Sequence, residues 1–104
     1  MKDDSLKDFV ADQLRGLAGL EARAMFGGYG LYANGKFFGL LLKGRLYFRT
    51  DAATRAAYSE RGMKPFRPRD NQELSRYWEV PADVIEDAAQ LEAWARGAIE
   101  AVGK

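Results

Sequence analysis

The 104-residue chain contains no cysteine and no histidine. Without cysteine there is no disulfide, no thiolate metal ligand and no thiol nucleophile. Without histidine, the commonest general base near neutral pH and the commonest metal ligand are both missing. Ser5, Ser59 and Ser75 therefore have no imidazole to activate them. A dominant charge is lacking too: 16 basic residues stand against 15 acidic ones, a net +1 that gives the whole chain little pull on nucleic acid. No apolar run approaches the length that crosses a bilayer, the longest being Phe37 to Leu42. The opening MKDDSLKD is charged and has no signal-peptide core. A single domain over residues 1–104, cytoplasmic and without membrane contact, is the expectation.

What is present begins with an amphipathic helix over residues 5–18. Leu6, Phe9, Val10, Leu14 and Leu17 fall on one stripe, Ser5 with Asp8 resembles a capping box, and Gly19 is a stop signal. A β-meander follows. Asn34-Gly35 is a strong two-residue hairpin signal and sets Tyr32 against Phe37, Leu31 against Phe38 and Gly30 against Gly39. Lys43-Gly44 is a weaker one and sets Leu41 against Leu46, Leu40 against Tyr47 and Gly39 against Phe48.

Strict alternation then sorts two faces. Gly28, Gly30, Tyr32, Phe37, Gly39, Leu41, Leu46 and Phe48 form the expected core face, with Gly30 and Gly39 thinning the sheet for close packing. Tyr29, Leu31, Phe38, Leu40, Leu42, Arg45, Tyr47 and Arg49 form the other, which mixes aromatics with arginines as contact surfaces do.

Thr50 or Asp51 is expected to cap a helix over residues 52–61, closed by Gly62. Residues 63–72 hold two of the chain's three prolines and read as a loop or an irregular edge strand. ELSRYWEV reads as a strand and residues 83–87 as a turn. Asp87 with Gln90 caps a last helix, where Leu91, Trp94, Ala95, Ala98, Ile99 and Val102 keep helical spacing. Helices beside an antiparallel sheet make an α+β sandwich.

Several motifs bear on chemistry. FGGYG, residues 26–30, packs three glycines into five positions. A dinucleotide or P-loop turn would open a helix, whose N-terminus holds the phosphates; this one opens a strand, so a bulge or a close-packed strand is the better reading. The acids Asp83, Glu86, Asp87 and Asp3, Asp4, Asp8 sit at helix starts, where caps and the macrodipole account for them. No metal site, no cofactor and no catalytic residue emerges, and an enzyme is not expected. The segment RGMKPFRPR, 61–69, gathers Arg61, Lys64, Arg67 and Arg69 around Phe66 with no acid inside. Basic residues interleaved with an aromatic suit a phosphate backbone and an unstacked base.

RAMFGGYGLY (23–32), LYFRTD (46–51), RGMKPF (61–66), YWEVP (77–81) and LEAWARGAIEA (91–101) resemble, in order and at similar spacing, the N-terminal domain of TfoX/Sxy competence regulators. The family label is carried above all by Met25, Phe26, Gly27, Gly28, Gly30 and, further on, Gly39. The resemblance implies an α-β-β-β-α-β-β-α two-layer sandwich, similar to secretion-chaperone-like folds. In such regulators a C-terminal helical domain follows, and the whole acts as a coactivator with the cyclic-AMP receptor protein. A stand-alone N-terminal domain is the corresponding expectation here. The family offers no catalytic residues to transfer.

The leading expectation is thus a non-enzymatic module that binds a protein partner: transcription machinery, a separate chain like the C-terminal domain, or a second copy in a homodimer. Tyr29, Leu31, Phe38, Arg45, Tyr47 and Arg49 are its expected contact face. Two alternatives are a weak nucleic-acid binder using Arg61, Lys64, Phe66, Arg67 and Arg69, and a small-molecule sensor using the glycine trough.

Overall fold

The computed structural model describes residues 3–25, 27–69 and 72–103, with the Asp3 and Arg69 side chains left out. Phe26 of the glycine motif and Asp70, the acid after the basic run, lie outside the described residues. The elements are α1 (Asp3–Gln13), β1 (Leu20–Met25), β2 (Gly28–Ala33), β3 (Lys36–Leu42), β4 (Arg45–Arg49), α2 (Ala52–Glu60), β5 (Pro65–Arg69), β6 (Gln72–Glu79), α3 (Ala82–Ile85) and α4 (Ala88–Ala101). The strands form one antiparallel sheet in the order β1-β2-β3-β4-β6-β5. The α+β sandwich is as expected, and its order gains β1 and the short α3.

Local chemistry explains most boundaries. Asn34 and Gly35 both have positive φ, as do Lys43 and Gly44, so both hairpins turn with the hand that twisted strands need. Asp51 caps α2 in a reciprocal capping box with Thr54. Thr50, buried, instead bonds the Arg76 carbonyl and ties β4 to β6. Asp87 accepts from the Gln90 amide at the start of α4. α1 begins ahead of Ser5, which therefore lies inside the first turn rather than at its cap.

All four helices gather on one face. Leu6, Val10 and Leu14 from the α1 region meet Leu91, Ala95 and Ala98 of α4 over Leu31, Phe38, Leu41, Leu46 and Phe48 of the sheet. The alanines of α4 let its backbone approach the strands closely. α2 lies beside α4 through Tyr58 and Trp94, whose rings are 4.6 Å apart and edge-on. The Gln13 amide reaches the Ile85 carbonyl at 2.9 Å and ties α1 to α3.

Burial pushes the Tyr58 phenol well above its ordinary value near 10. Above that ordinary value the unfolded chain sheds a proton that the native state retains. The stability contributed by neutral Tyr58 is therefore full below about pH 10 and declines as pH rises further. Tyr58→Phe should flatten that decline, which thermal melts from about pH 9 to 11 will measure.

One irregularity decides which side chains face which way. Tyr32 pairs with Phe37 as the turn dictates, but the next pairs are Leu31 with Gly39, Gly30 with Leu40 and Tyr29 with Leu41. Phe38 is an extra residue on β3, a β-bulge, and it reverses the alternation on one side of itself. Leu31 and Phe38 are 2% and 0% exposed, so both belong to the core and cannot form a contact face. Tyr29 also turns to the helices, where its hydroxyl bonds Asp4 and its ring lies under Lys7. Conversely Gly28, Gly30, Tyr32 and Phe37, expected in the core, belong to the opposite face. Gly39, Leu41, Leu46 and Phe48 stand where alternation put them.

Candidate functional site

The face of the sheet away from the helices carries the remaining candidates. Aromatic and cationic groups run across it in a row: the Arg23 guanidinium lies 4.4 Å from the Tyr32 ring, Tyr32 is 5.1 Å from Phe37, and Phe37 is 5.7 Å from Tyr77. Arg49 lies over the far side of that row, 5.6 Å from the Tyr77 ring. Its Nη1 donates to the Tyr77 hydroxyl at 3.4 Å. Its Nε is enclosed and has no acceptor among the described residues, an arrangement that typically costs about 1–3 kcal/mol.

A second row is more strongly paired. The Tyr47 ring packs at a tilt against Phe66, 4.7 Å between centroids, and Arg45 bonds Glu79 at 3.1 Å. Burial first, and then the Glu79 carboxylate, push the Tyr47 phenol above its ordinary value, with Arg45 acting the other way. The hydroxyl is therefore a neutral hydrogen-bonding group at physiological pH.

Between these rows the β5–β6 hairpin curls over β3 and encloses a hollow of about 470 Å³. Met25, Phe37, Leu40, Leu42, Phe66 and Leu74 supply most of its wall, and Gln72 is a polar group at its margin. Leu74, at 38% exposed, leaves part of this apolar wall open to water. Gly30 contributes by absence: a Cβ there would lie 2.8 Å from the Met25 methyl and 3.0 Å from the Phe37 ring. The glycine motif thus does thin the sheet, but on the side away from the helices.

The structure separates the basic run. Arg61 is on the helix side, bonded to Asp83 at 2.7 Å and lying over Trp94. Arg67 pairs with Glu73 at 2.9 Å, and Lys64 is exposed. Phe66 is 8% exposed beneath Tyr47, so no base can stack on it without moving that ring. Strand alternation in β5 sends neighbours in sequence to different places. Arg69 lies in β5, and its side chain is outside the description.

Asp83 and Asp87 act as ion-pair partner and helix cap. Hydrogen bonds from the Gln90 side chain and backbone hold Asp87 below the usual carboxylate range. Among the described residues no group of three or more acidic side chains is placed to hold a metal. None of the described helices is long and apolar enough to cross a membrane.

Of the expected contact face, the structure brings Arg45, Tyr47 and Arg49 together and removes Tyr29, Leu31 and Phe38. It keeps Leu40 on that face and adds Arg23, Tyr32, Phe37, Leu74 and Tyr77. Phe37-Phe38-Gly39, two aromatics in succession before a glycine, is the one sequence signal that could have marked the bulge.

A helix-backed antiparallel sheet whose other face carries no helix among the described residues, and is apolar and edged with arginine, makes this a small α+β domain. Within that class the chain matches the TfoX N-terminal domain over residues 12–102 and belongs to that family. No curated protein matches the chain.

Proposed function

We propose that the chain is a non-enzymatic regulatory module that binds a protein partner across the helix-free face of its sheet. One observation supports this above others: an apolar hollow of about 470 Å³ opens on that face beside Phe37, Phe66 and Tyr77, with Arg49 over the Tyr77 ring and Arg23 over the nearby Tyr32 ring. Aromatics and arginine are what binding hot spots favour, and an apolar centre with a charged rim is how interfaces are built. The resemblance to competence regulators supports transcription machinery as the partner class, with the purified cyclic-AMP receptor protein and a C-terminal-domain-like chain to be tried first.

Leu74→Glu and Arg49→Met test the reading without disturbing the core. Leu74 is half open to water, and Arg49→Met removes an enclosed, unpartnered Nε, so melting temperatures should hold or rise. Affinity for the purified partner, read by interferometry, should fall about tenfold or more for each. If neither purified partner binds the wild type, or if both variants bind as the wild type does, the reading fails.

The size of the hollow also favours a second reading, a sensor for a small apolar ligand, since ligand pockets typically span about 300–1,000 Å³. A thermal-shift screen of metabolites distinguishes it: a ligand of this site should raise the melting temperature of the wild type and not of Leu40→Glu.

A further inference from the structure

The two edges of the sheet are built differently. β5 carries Pro65 and Pro68, and its register with β6 shifts twice. Proline and irregularity keep an edge from pairing with another chain. β1 has neither device. Its residues pair one for one with β2, from Leu20 with Ala33 to Met25 with Gly28, and Glu21 to Ala24 are all exposed. Among the described residues β2 is its sole strand neighbour.

One bond sets the phase of this edge. The Asn34 amide donates to the Gly19 carbonyl at 3.1 Å. Antiparallel pairs alternate between bonded and non-bonded, so along the same register Glu21, Arg23 and Met25 turn their main-chain groups to β2. Leu20, Ala22 and Ala24 turn theirs outward. A second β1 running antiparallel must meet outward residues with outward residues. Centred on Glu21, that pairing sets Glu21 against itself; centred on Arg23, it sets Arg23 against itself. Centred on Ala22, it places each Glu21 opposite the other copy's Arg23, in the closely spaced non-bonded pairs. It also engages Leu20, Ala22 and Ala24 together, for about six main-chain hydrogen bonds.

We propose that the chain self-associates through β1, in a two-fold antiparallel pairing centred on Ala22 and sealed by Glu21–Arg23 pairs at both ends. Opposite charges directly across a strand pair stabilise it and like charges oppose it, which selects this register. The existing contact between Glu21 and Arg23 within one strand is solvent-exposed, so sharing it across the seam costs little. The proposal rests on a different observation from the sheet-face reading, the regular edge of β1. Arg23 is shared with that face, whereas Glu21 belongs neither to its aromatic row nor to the hollow, so Glu21→Arg tests the pairing alone.

Sedimentation equilibrium over a micromolar-to-millimolar series should show a monomer–dimer equilibrium, since a single strand pair is a small interface. Glu21→Arg should raise the dissociation constant about tenfold or more, and the exchange Glu21→Arg/Arg23→Glu should restore it. Ala22→Pro, which replaces an outward amide, should abolish association. If its circular dichroism shows that it has not folded, the exposed charge pair decides alone. The chain has no cysteine, so Ala22→Cys offers a clean crosslink. Paired Cα atoms lie about 5.5 Å apart at such a site, within disulfide range. Ala24→Cys, with Cα atoms on the order of 13 Å apart, should not crosslink. A wild type monomeric at millimolar concentration would overturn the proposal. So would dimerisation unaffected by Glu21→Arg, or equal crosslinking at both cysteine positions.

Discussion

Phe38→Ala is expected to cost about 3–5 kcal/mol and to lower the melting temperature by roughly 12 °C or more. Phe38 is fully buried, its ring 5.6 Å from that of Phe48, with Val10 and Leu91 in the same core. Truncation leaves a cavity that a sheet clamped under helices cannot close. Phe37→Ala, one residue away, should cost only about 1–2 kcal/mol, because that ring is half-buried on the helix-free face. The contrast between neighbours is the diagnostic. Simple alternation without a bulge predicts the opposite order, so equal or reversed losses in urea unfolding would contradict the register described above.

Gly28→Ala is expected to be nearly as damaging, with a loss of about 3 kcal/mol or more. A Cβ at Gly28 would lie 2.0 Å from the Leu41 carbonyl oxygen, a main-chain atom that cannot rotate away. The strands would have to part or lose their pairing. Gly27→Ala serves as the control. Its φ of +82° strains any side chain, but among the described residues nothing beyond its chain neighbours lies within 4 Å of the added Cβ, so the cost should be nearer 1 kcal/mol. Chemical denaturation of both variants gives the comparison, and a Gly28→Ala loss no greater than that of Gly27→Ala would sink the packing argument.

Much of the fold is legible in the residues, and the reasons are local. Asn34-Gly35 dictates its turn through backbone conformation alone, and α4 declares itself through the Asp87 cap that opens it and a stripe from Leu91 to Ala98. The bulge is not legible in the same way. Both faces of the meander are rich in apolar side chains, so slipping one residue at Phe38 exposes no charge and buries none. Nothing in the hydrophobic pattern vetoes either register. β1 hides for a related reason: an edge strand with four exposed residues owes little to the core, and LEARAM shows no firm alternation. α3 hides because Pro81 precedes it and no side chain caps it.

The candidate site inherits these limits. Arg45, Tyr47 and Arg49 follow the bulge and the second hairpin, where alternation holds, and their face is readable. Tyr32 and Phe37 sit ahead of the bulge, where simple alternation places them on the wrong side. Tyr77 and Leu74 join the face through a strand from another part of the chain, so no short motif contains them. In the basic run, closeness in sequence is a poor guide, because β5 sends alternate side chains opposite ways and Arg61 precedes it altogether.

The prolines of β5 have a consequence for assembly. A sheet with two open edges can add copies at both ends, and chains so equipped polymerise. Here one end is blunted by Pro65 and Pro68 and the other, β1, stays regular. In the language of polymer chemistry the domain is monofunctional: it has one reactive end, and coupling two such ends leaves none over. A self-complementary pairing through β1 closes on itself. Pairing of this kind, edge to edge through β1, stops at two chains.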